Sequence, residues 1–507
     1  MTPGCRGDWR ADMIRLIVLA ILLGAAPLRA ETITAADITR HVVYLADDGL
    51  QGRYPGTEGG RLTARYISMQ FAASGLQPAG EDGWYQPVSI VTRKSGQAAI
   101  SYTRIRRPLA LAPAELVAIG RKEREQLDDL PIFVASASLA DDTPLPDLTG
   151  HLVLLLDSII SHESGMEEVR RARALHSRFL AAHAAAILVV TERSPRLADL
   201  FMGLGTNAID LADVRPMAKV EGAISMASAV ALVAASGQDW DKLTRRLAAP
   251  GAAGTMLTAR ASMKVETRID RLESGNVIGR IPGRKPKDGA VLFLAHWDHL
   301  GICAPPEAAD RICNGAIDNA TGIAVLIELA RQLARSKPDR DIYLMATTGE
   351  ELGLLGIENF VRNPPLPLKD IVAAFNLDTL GIAPRGADVA LIGKGRSNLD
   401  QPVERIIRKH KLQVAKRDYP QQFLDRQDGW LLTLAGVPAL MVNSGFSDPE
   451  RAEAFLADPY HKADDEYRPG MDMSGAVQDA NLHLSLAHFF ASVKKYPANR
   501  AGERRAD

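Results

Sequence analysis

Six short stretches in the second half of the chain are dominated by apolar residues: 276–281, 290–295, 341–346, 372–377, 389–392 and 438–442. Runs of this length, bounded by Gly, Pro or charged residues, predict strands buried in a sheet. Residues 320–335 follow a different rhythm. Ile323, Leu326, Ile327, Ala330 and Leu333 recur every three or four positions and mark one stripe of a helix. Strands alternating with helices predict an α/β domain with a mainly parallel central sheet and helices on both faces.

The first half has another texture. Residues 33–75 read as mostly helical, broken by the turn Gly52-Arg53-Tyr54-Pro55-Gly56. Within 60–75, Leu62, Tyr66, Met69 and Phe71 keep roughly helical spacing up to a capping Gly75. From about residue 110, the runs 152–156 and 186–190 predict buried strands and 169–185 a helix. An Ala- and Gly-rich stretch, 248–255, marks the exit from this segment. Its histidines, His151, His162, His176 and His183, form no ligand-like cluster and read as structural.

Length and charge narrow the possible functions. A chain of 507 residues implies two or three domains, and 46% hydrophobic with 24% charged residues implies packed cores. Sixty basic residues nearly balance 61 acidic ones, so no basic field exists to hold nucleic acid or anionic lipid. The basic run at 405–417 reads as a solvated helix face.

At the N-terminus, Met13-Ile14-Arg15 precedes an apolar stretch, 16–26, and then Pro27-Leu28-Arg29-Ala30. A basic start, a short apolar run and a small final residue describe a secretory signal peptide, with cleavage expected after Ala30. The run is short for a membrane span, and no later segment is long enough without charges. Translation from Met1 and from Met13 both fit. The expectation is an exported protein, periplasmic or secreted. Cys5 falls in the leader. Cys303 and Cys313, ten residues apart, fit either one disulfide or two buried thiols.

The ends of the expected strands carry the chemistry, as open α/β sheets bind ligands there. The 290–295 strand leads into His296-Trp297-Asp298-His299. Strand alternation puts His296 and Asp298 on one face, where the carboxylate could orient the imidazole for a metal. Gly315-Ala316-Ile317-Asp318-Asn319-Ala320-Thr321-Gly322 opens the 320–335 helix, and its acid reads as a cap or as a ligand. After the 341–346 strand comes Gly349-Glu350-Glu351-Leu352-Gly353. One glutamate there could bind metal and the other act as a base, or both could begin a solvated helix. Asn376-Leu377-Asp378 ends a further strand, and Tyr460-His461 lies in a polar loop. Two histidines, three carboxylates and a spare glutamate suit two zinc ions sharing one carboxylate.

In this order the motifs resemble the clan MH di-zinc exopeptidases, specifically secreted bacterial aminopeptidases carrying a protease-associated (PA) domain insertion. Gly52-Arg53, Gly75-Leu76 and Asp147-Leu148-Thr149-Gly150-His151-Leu152-Val153 extend the resemblance to nearly the whole mature chain. The resemblance implies a signal peptide over 1–30, peptidase-domain segments over 31–110 and 259–500, a β-rich PA insertion over 111–258, and a charged tail over 501–507. It implies that His296 and Asp378 hold one zinc, that Glu351 and His461 hold the other, and that Asp318 bridges them across a cis peptide to Asn319. Glu350 would be the general base toward a zinc-activated water, and Asp298 would orient His296. Peptides would be the substrates and an aminopeptidase the activity. Carboxypeptidase, amidohydrolase and glutaminyl cyclase activities share the scaffold. Receptor-like relatives without metals are disfavoured because all five ligands are present. One departure is visible: where many relatives have Ser-Asp-His, this chain has Gln427-Asp428-Gly429.

Overall fold

The computed structural model describes residues 32–109, 111, 115–136, 139–156, 166–191, 207–212, 217–249, 251–416 and 418–497. The expected signal peptide, the charged tail and His162 lie outside the described residues. The chain packs as two compact units. One comprises Met1–Gln86, Val277–Thr347 and Pro364–Asp507, and the other Pro87–Asn276 and Thr348–Asn363.

In the first unit, Ala290–His296 runs parallel to Asp341–Thr347 on one side and to Ile371–Asn376 on the other. Ala439–Asn443 is parallel to Ile371–Asn376. The edges are antiparallel: Ala390–Ile392 lies against Ala439–Asn443, and residues 277–281 lie against Asp341–Thr347. Every residue of Ala290–His296, Ile371–Asn376 and Ala439–Asn443 is buried, as expected where helices cover both faces of a parallel sheet. The fold is therefore α/β with a mainly parallel central sheet. Its four parallel strands end on one edge, at His296, Thr347, Asn376 and Asn443.

The helix expected over 320–335 is Thr321–Leu333, and it differs from a one-stripe surface helix. Ala324, Val325, Glu328 and Leu329 are buried along with the stripe. The reason is long-range packing by the helices Ala35–Leu45 and Ser474–Phe490, which come from the two ends of the chain. Glu328 survives burial because His41 Nε2 lies 3.0 Å away, Arg331 Nε 2.6 Å and Arg40 Nη2 2.9 Å. Ala35–Leu45 itself starts at a capping box, with Thr34 accepting from Asp37 N–H and the Asp37 carboxylate accepting from Thr34 N–H. Glu58–Ala73 is capped by Thr57, buries Ile67 and Phe71, and stops before Gly75, whose φ is +87°.

In the second unit, Arg124–Ser136 pairs antiparallel with Thr255–Ile281 and parallel with Leu152–Leu156. Ala186–Thr191 and Val220–Ser225 continue the parallel order, and Leu116–Gly120 closes it antiparallel. Thr255–Ile281 alternates between buried and more exposed side chains over residues 257–267. Leu257, Ala259, Ala261, Met263 and Val265 are buried, whereas Thr258, Arg260, Lys264 and Glu266 are exposed. The expected helix over 169–185 is Met166–Ala181. It stops early because four residues are needed to turn into Ala186–Thr191, with His183 at φ +65°.

Candidate metal centre

His296 is the last residue of its strand and is buried. Its Nδ1 lies 3.2 Å from the main-chain oxygen of Asp298 and 3.9 Å from the Asp298 carboxylate. Because the strand stops at His296, alternation does not extend to Asp298. The nearer partner of the ring is a carbonyl. With Nδ1 donating to that carbonyl, Nε2 carries the lone pair. Nε2 is 3.2 Å from Asp318 Oδ1 and 3.4 Å from Asp378 Oδ1.

Asp318 sits in the irregular turn Ala316–Ala320, and its peptide bond to Asn319 is cis. Its other oxygen, Oδ2, is 3.4 Å from His461 Nε2. One carboxylate thus presents an oxygen to each of two imidazoles. Burial alone would push its pKa up, but hydrogen bonds from His296 and His461, with the charges of His296 and His299, outweigh burial and hold it well below the carboxylate range. Within the first unit, the ligand atoms of His296 and Asp318 lie 3.2 Å apart. Imidazole nitrogen and carboxylate oxygen are a donor set suited to zinc. Glu350 is half-buried and precedes Glu351 in the turn after Asp341–Thr347. That turn opens at Gly349 with φ +65° and is closed by N–H groups of Gly353 and Leu354 donating to the Glu350 carbonyl.

The surroundings hold these groups still. Asn319 donates to Leu377 O at 2.9 Å, and its own side-chain oxygen accepts from Gly322 N at 3.0 Å and Thr379 N at 3.3 Å. The Asp318 turn is thereby tied to the strand end that carries Asp378. Asn443 Nδ2 donates to Asp378 O at 2.8 Å. Gly315 has φ +56°, and a Cβ there would lie 2.0 Å from Asp318 O, so the turn requires glycine. The His461 ring stacks on Tyr460 at 3.7 Å between centroids and meets His299 edge-on at 5.8 Å.

Several residues were not singled out as site residues by the sequence. Asp465, four positions beyond His461, accepts from Ile317 N at 2.9 Å and Asp318 N at 3.0 Å, and burial raises its pKa to about 6. Arg53 is buried and donates to the carbonyls of Trp297 at 2.9 Å, Leu45 at 2.6 Å and Gly315 at 3.0 Å, and also to Asn314 O. Asp428 is fully buried and accepts from Thr347 Oγ1, and burial raises its pKa to about 7. The glycine beside it has a local cause. Gly429 N donates to Gln427 Oε1 at 2.7 Å, and a Cβ on residue 429 would lie 2.7 Å from that same oxygen. Cys303 and Cys313 are joined in a disulfide, with a Cα–Cα distance of 5.8 Å, across the hairpin Gly301–Ile302 and Ile312–Cys313.

Comparison with known proteins gives a consistent picture. Over 120 residues the chain is 33% identical to a vacuolar membrane protease of Lachancea thermotolerans, spanning 24% of this chain and 11% of that protein. Over 113 residues it is 34% identical to aminopeptidase YwaD of Bacillus subtilis, spanning 21% and 22% respectively. The chain therefore covers less than a quarter of the length of these two relatives. A solved aminopeptidase from Aneurinibacillus sp. strain AM-1 shares the fold, with a TM-score of 0.52 at 16% identity over 94% of this chain and 97% of that one. Residues 276–484, which contain every proposed ligand, match Peptidase family M28.

Proposed function

We propose that this protein is a zinc-dependent aminopeptidase that removes N-terminal residues from peptides. The observation that carries the reading is Asp318, with one oxygen 3.2 Å from His296 and the other 3.4 Å from His461. In this reading His296 and Asp378 would hold one zinc, Glu351 and His461 a second, and Asp318 would offer one carboxylate oxygen to each. Bound zinc supplies Lewis acidity, activating a water and polarising the scissile carbonyl. Glu350 takes the proton from the attacking water and returns it to the leaving amine. Asp298, mainly through its carbonyl, fixes the His296 tautomer so that Nε2 faces the site. Choice of the aminopeptidase reaction is supported by similarity to aminopeptidase YwaD and by the ordered motifs.

We further infer that residues 1–30 direct export to the periplasm or beyond, and that residues 111–258 form the PA insertion. Among the described residues no helix is long and apolar enough to cross a membrane.

Glu350→Gln tests the assignment of the base. It should leave zinc content unchanged while lowering kcat about 100-fold or more. Turnover close to wild type from a fully zinc-loaded Glu350→Gln enzyme would overturn the role.

A further inference from the structure

The turn that carries Asp318 offers five main-chain groups in succession: the carbonyls of Asn314 and Gly315, then the N–H groups of Ala316, Ile317 and Asp318. All five are taken up by two residues far away in sequence. Arg53 donates to both carbonyls, through Nη1 to Asn314 and through Nη2 to Gly315 at 3.0 Å. Asp465 receives all three N–H groups. Its carbonyl accepts from Ala316 at 2.9 Å, its Oδ1 from Ile317 at 2.9 Å and its Oδ2 from Asp318 at 3.0 Å. Both residues are 1% exposed, so neither bond set competes with bulk water.

Asp465 also has a fixed relation to the second histidine. It lies four residues after His461, and its own N–H donates to Lys462 O at 3.2 Å. The short loop carrying His461 is therefore closed onto the turn carrying Asp318 by one side chain. Arg53 fastens the other half of the turn and also grips Trp297 O, next to His296, at 2.9 Å. Three elements bearing proposed ligands meet at this pair of residues.

We propose that Asp465, with Arg53, is a positioning clamp that assembles the Asp318 carboxylate between His296 and His461 before any metal arrives. This rests on the metal-centre reading above. A carboxylate accepting two adjacent N–H groups fixes both the height and the tilt of the turn, which a single-acceptor side chain cannot do. The clamp lowers the reorganisation needed on metal binding, as supporting residues around metal ligands generally do.

The test is zinc affinity of the purified full chain, measured by competition with a chromophoric chelator, alongside circular dichroism and melting of the metal-free protein. Asp465→Asn keeps the shape but turns an amide N–H₂ toward one of the two donors. It should weaken zinc binding about 10- to 100-fold while the protein remains folded. Asp464→Asn, at an exposed residue paired with Arg468, should bind zinc like wild type. Unchanged affinity in a folded Asp465→Asn protein would overturn the clamp. If that variant does not fold, hydrogen exchange on the wild type decides. The amides of Ile317 and Asp318 should be equally protected with and without zinc. Protection that appears only with zinc would mean that the metal, not Asp465, orders the turn. A wild type that binds no zinc would instead defeat the metal reading, and the exchange result would still judge the clamp.

Discussion

Asp318 is buried yet charged because an imidazole faces each of its oxygens. On the proposed two-zinc reading, Asp318→Asn should abolish zinc binding while leaving the overall fold in place, as metal analysis after dialysis would report. A different pair of buried groups shapes the pH dependence of stability. Asp479 accepts from the N–H and hydroxyl of Ser444, both at 2.9 Å, yet burial raises its pKa from 3.8 to about 7. Between those values the folded chain keeps a proton that the unfolded chain has lost, so this group makes stability fall as pH rises. His483, one turn along the same helix, is lowered by burial from 6.5 to about 4. Over pH 4–6.5 the unfolded chain binds that proton and the folded one does not, so this group makes stability rise with pH. In the wild type the two trends oppose each other. Asp479→Asn removes its falling contribution, so the profile should climb more steeply than wild type, by up to about 1.4 kcal/mol per pH unit. Urea denaturation at several pH values from 4 to 7.5 should show that steeper climb, and an unchanged profile would contradict the assignment. At this scale the spaced motifs made His296, Asp318, Glu351, Asp378 and His461 candidates, and the structure sets Asp318 within 3.4 Å of the imidazoles of both His296 and His461. The sequence was silent on Asp465 and on the contacts of Arg53, because a carboxylate or guanidinium bound to main-chain groups of a distant segment leaves no periodic trace.

At the scale of elements, the buried runs 152–156, 186–190, 290–295, 341–346, 372–377, 389–392 and 438–442 were legible to within a residue or two because burial on both faces demands unbroken apolar runs. By contrast, 276–281 is only the end of Thr255–Ile281, and Tyr85–Arg104, Leu116–Gly120, Arg124–Ser136 and Val220–Ser225 were not read as strands because half-exposed or mixed runs lack that signature. The depth of Thr321–Leu333 was not legible either, since its covering helices come from residues near 40 and near 480. Glu328 shows the consequence. Burial opposes its charge, but His41 and Arg331 overcome burial and hold the pKa below the ordinary carboxylate value. A depressed carboxylate contributes stability above its unfolded pKa and loses it as pH falls through the folded value. Glu328→Ala should cost about 3–5 kcal/mol, because it leaves His41 and Arg331 facing an uncompensated gap. Calorimetry would show this as a large fall in Tm, and a change of a degree or less would contradict it. The alternation in Thr255–Ile281 was present in the sequence as Leu257, Ala259, Ala261, Met263 and Val265, but small alanines blur such a pattern beside longer apolar runs.

At the scale of the molecule, the parallel sheet brings together residues separated by more than 160 positions, from His296 to His461, at one edge. The Cys303–Cys313 disulfide closes the loop between His296 and Asp318. Replacing both cysteines with serine should lower stability by about 2–3 kcal/mol, since the cross-link restricts the unfolded chain. Denaturation of the Cys303→Ser, Cys313→Ser protein beside wild type would measure it.

The most direct test of the central claim is mass spectrometry of a mixed peptide pool incubated with purified enzyme, with and without a zinc chelator. A two-zinc aminopeptidase predicts ladders shortened from the N-terminus, abolished by the chelator and absent for N-acetylated peptides. Ladders shortened from the C-terminus, or N-terminal trimming that persists without metal, would contradict it.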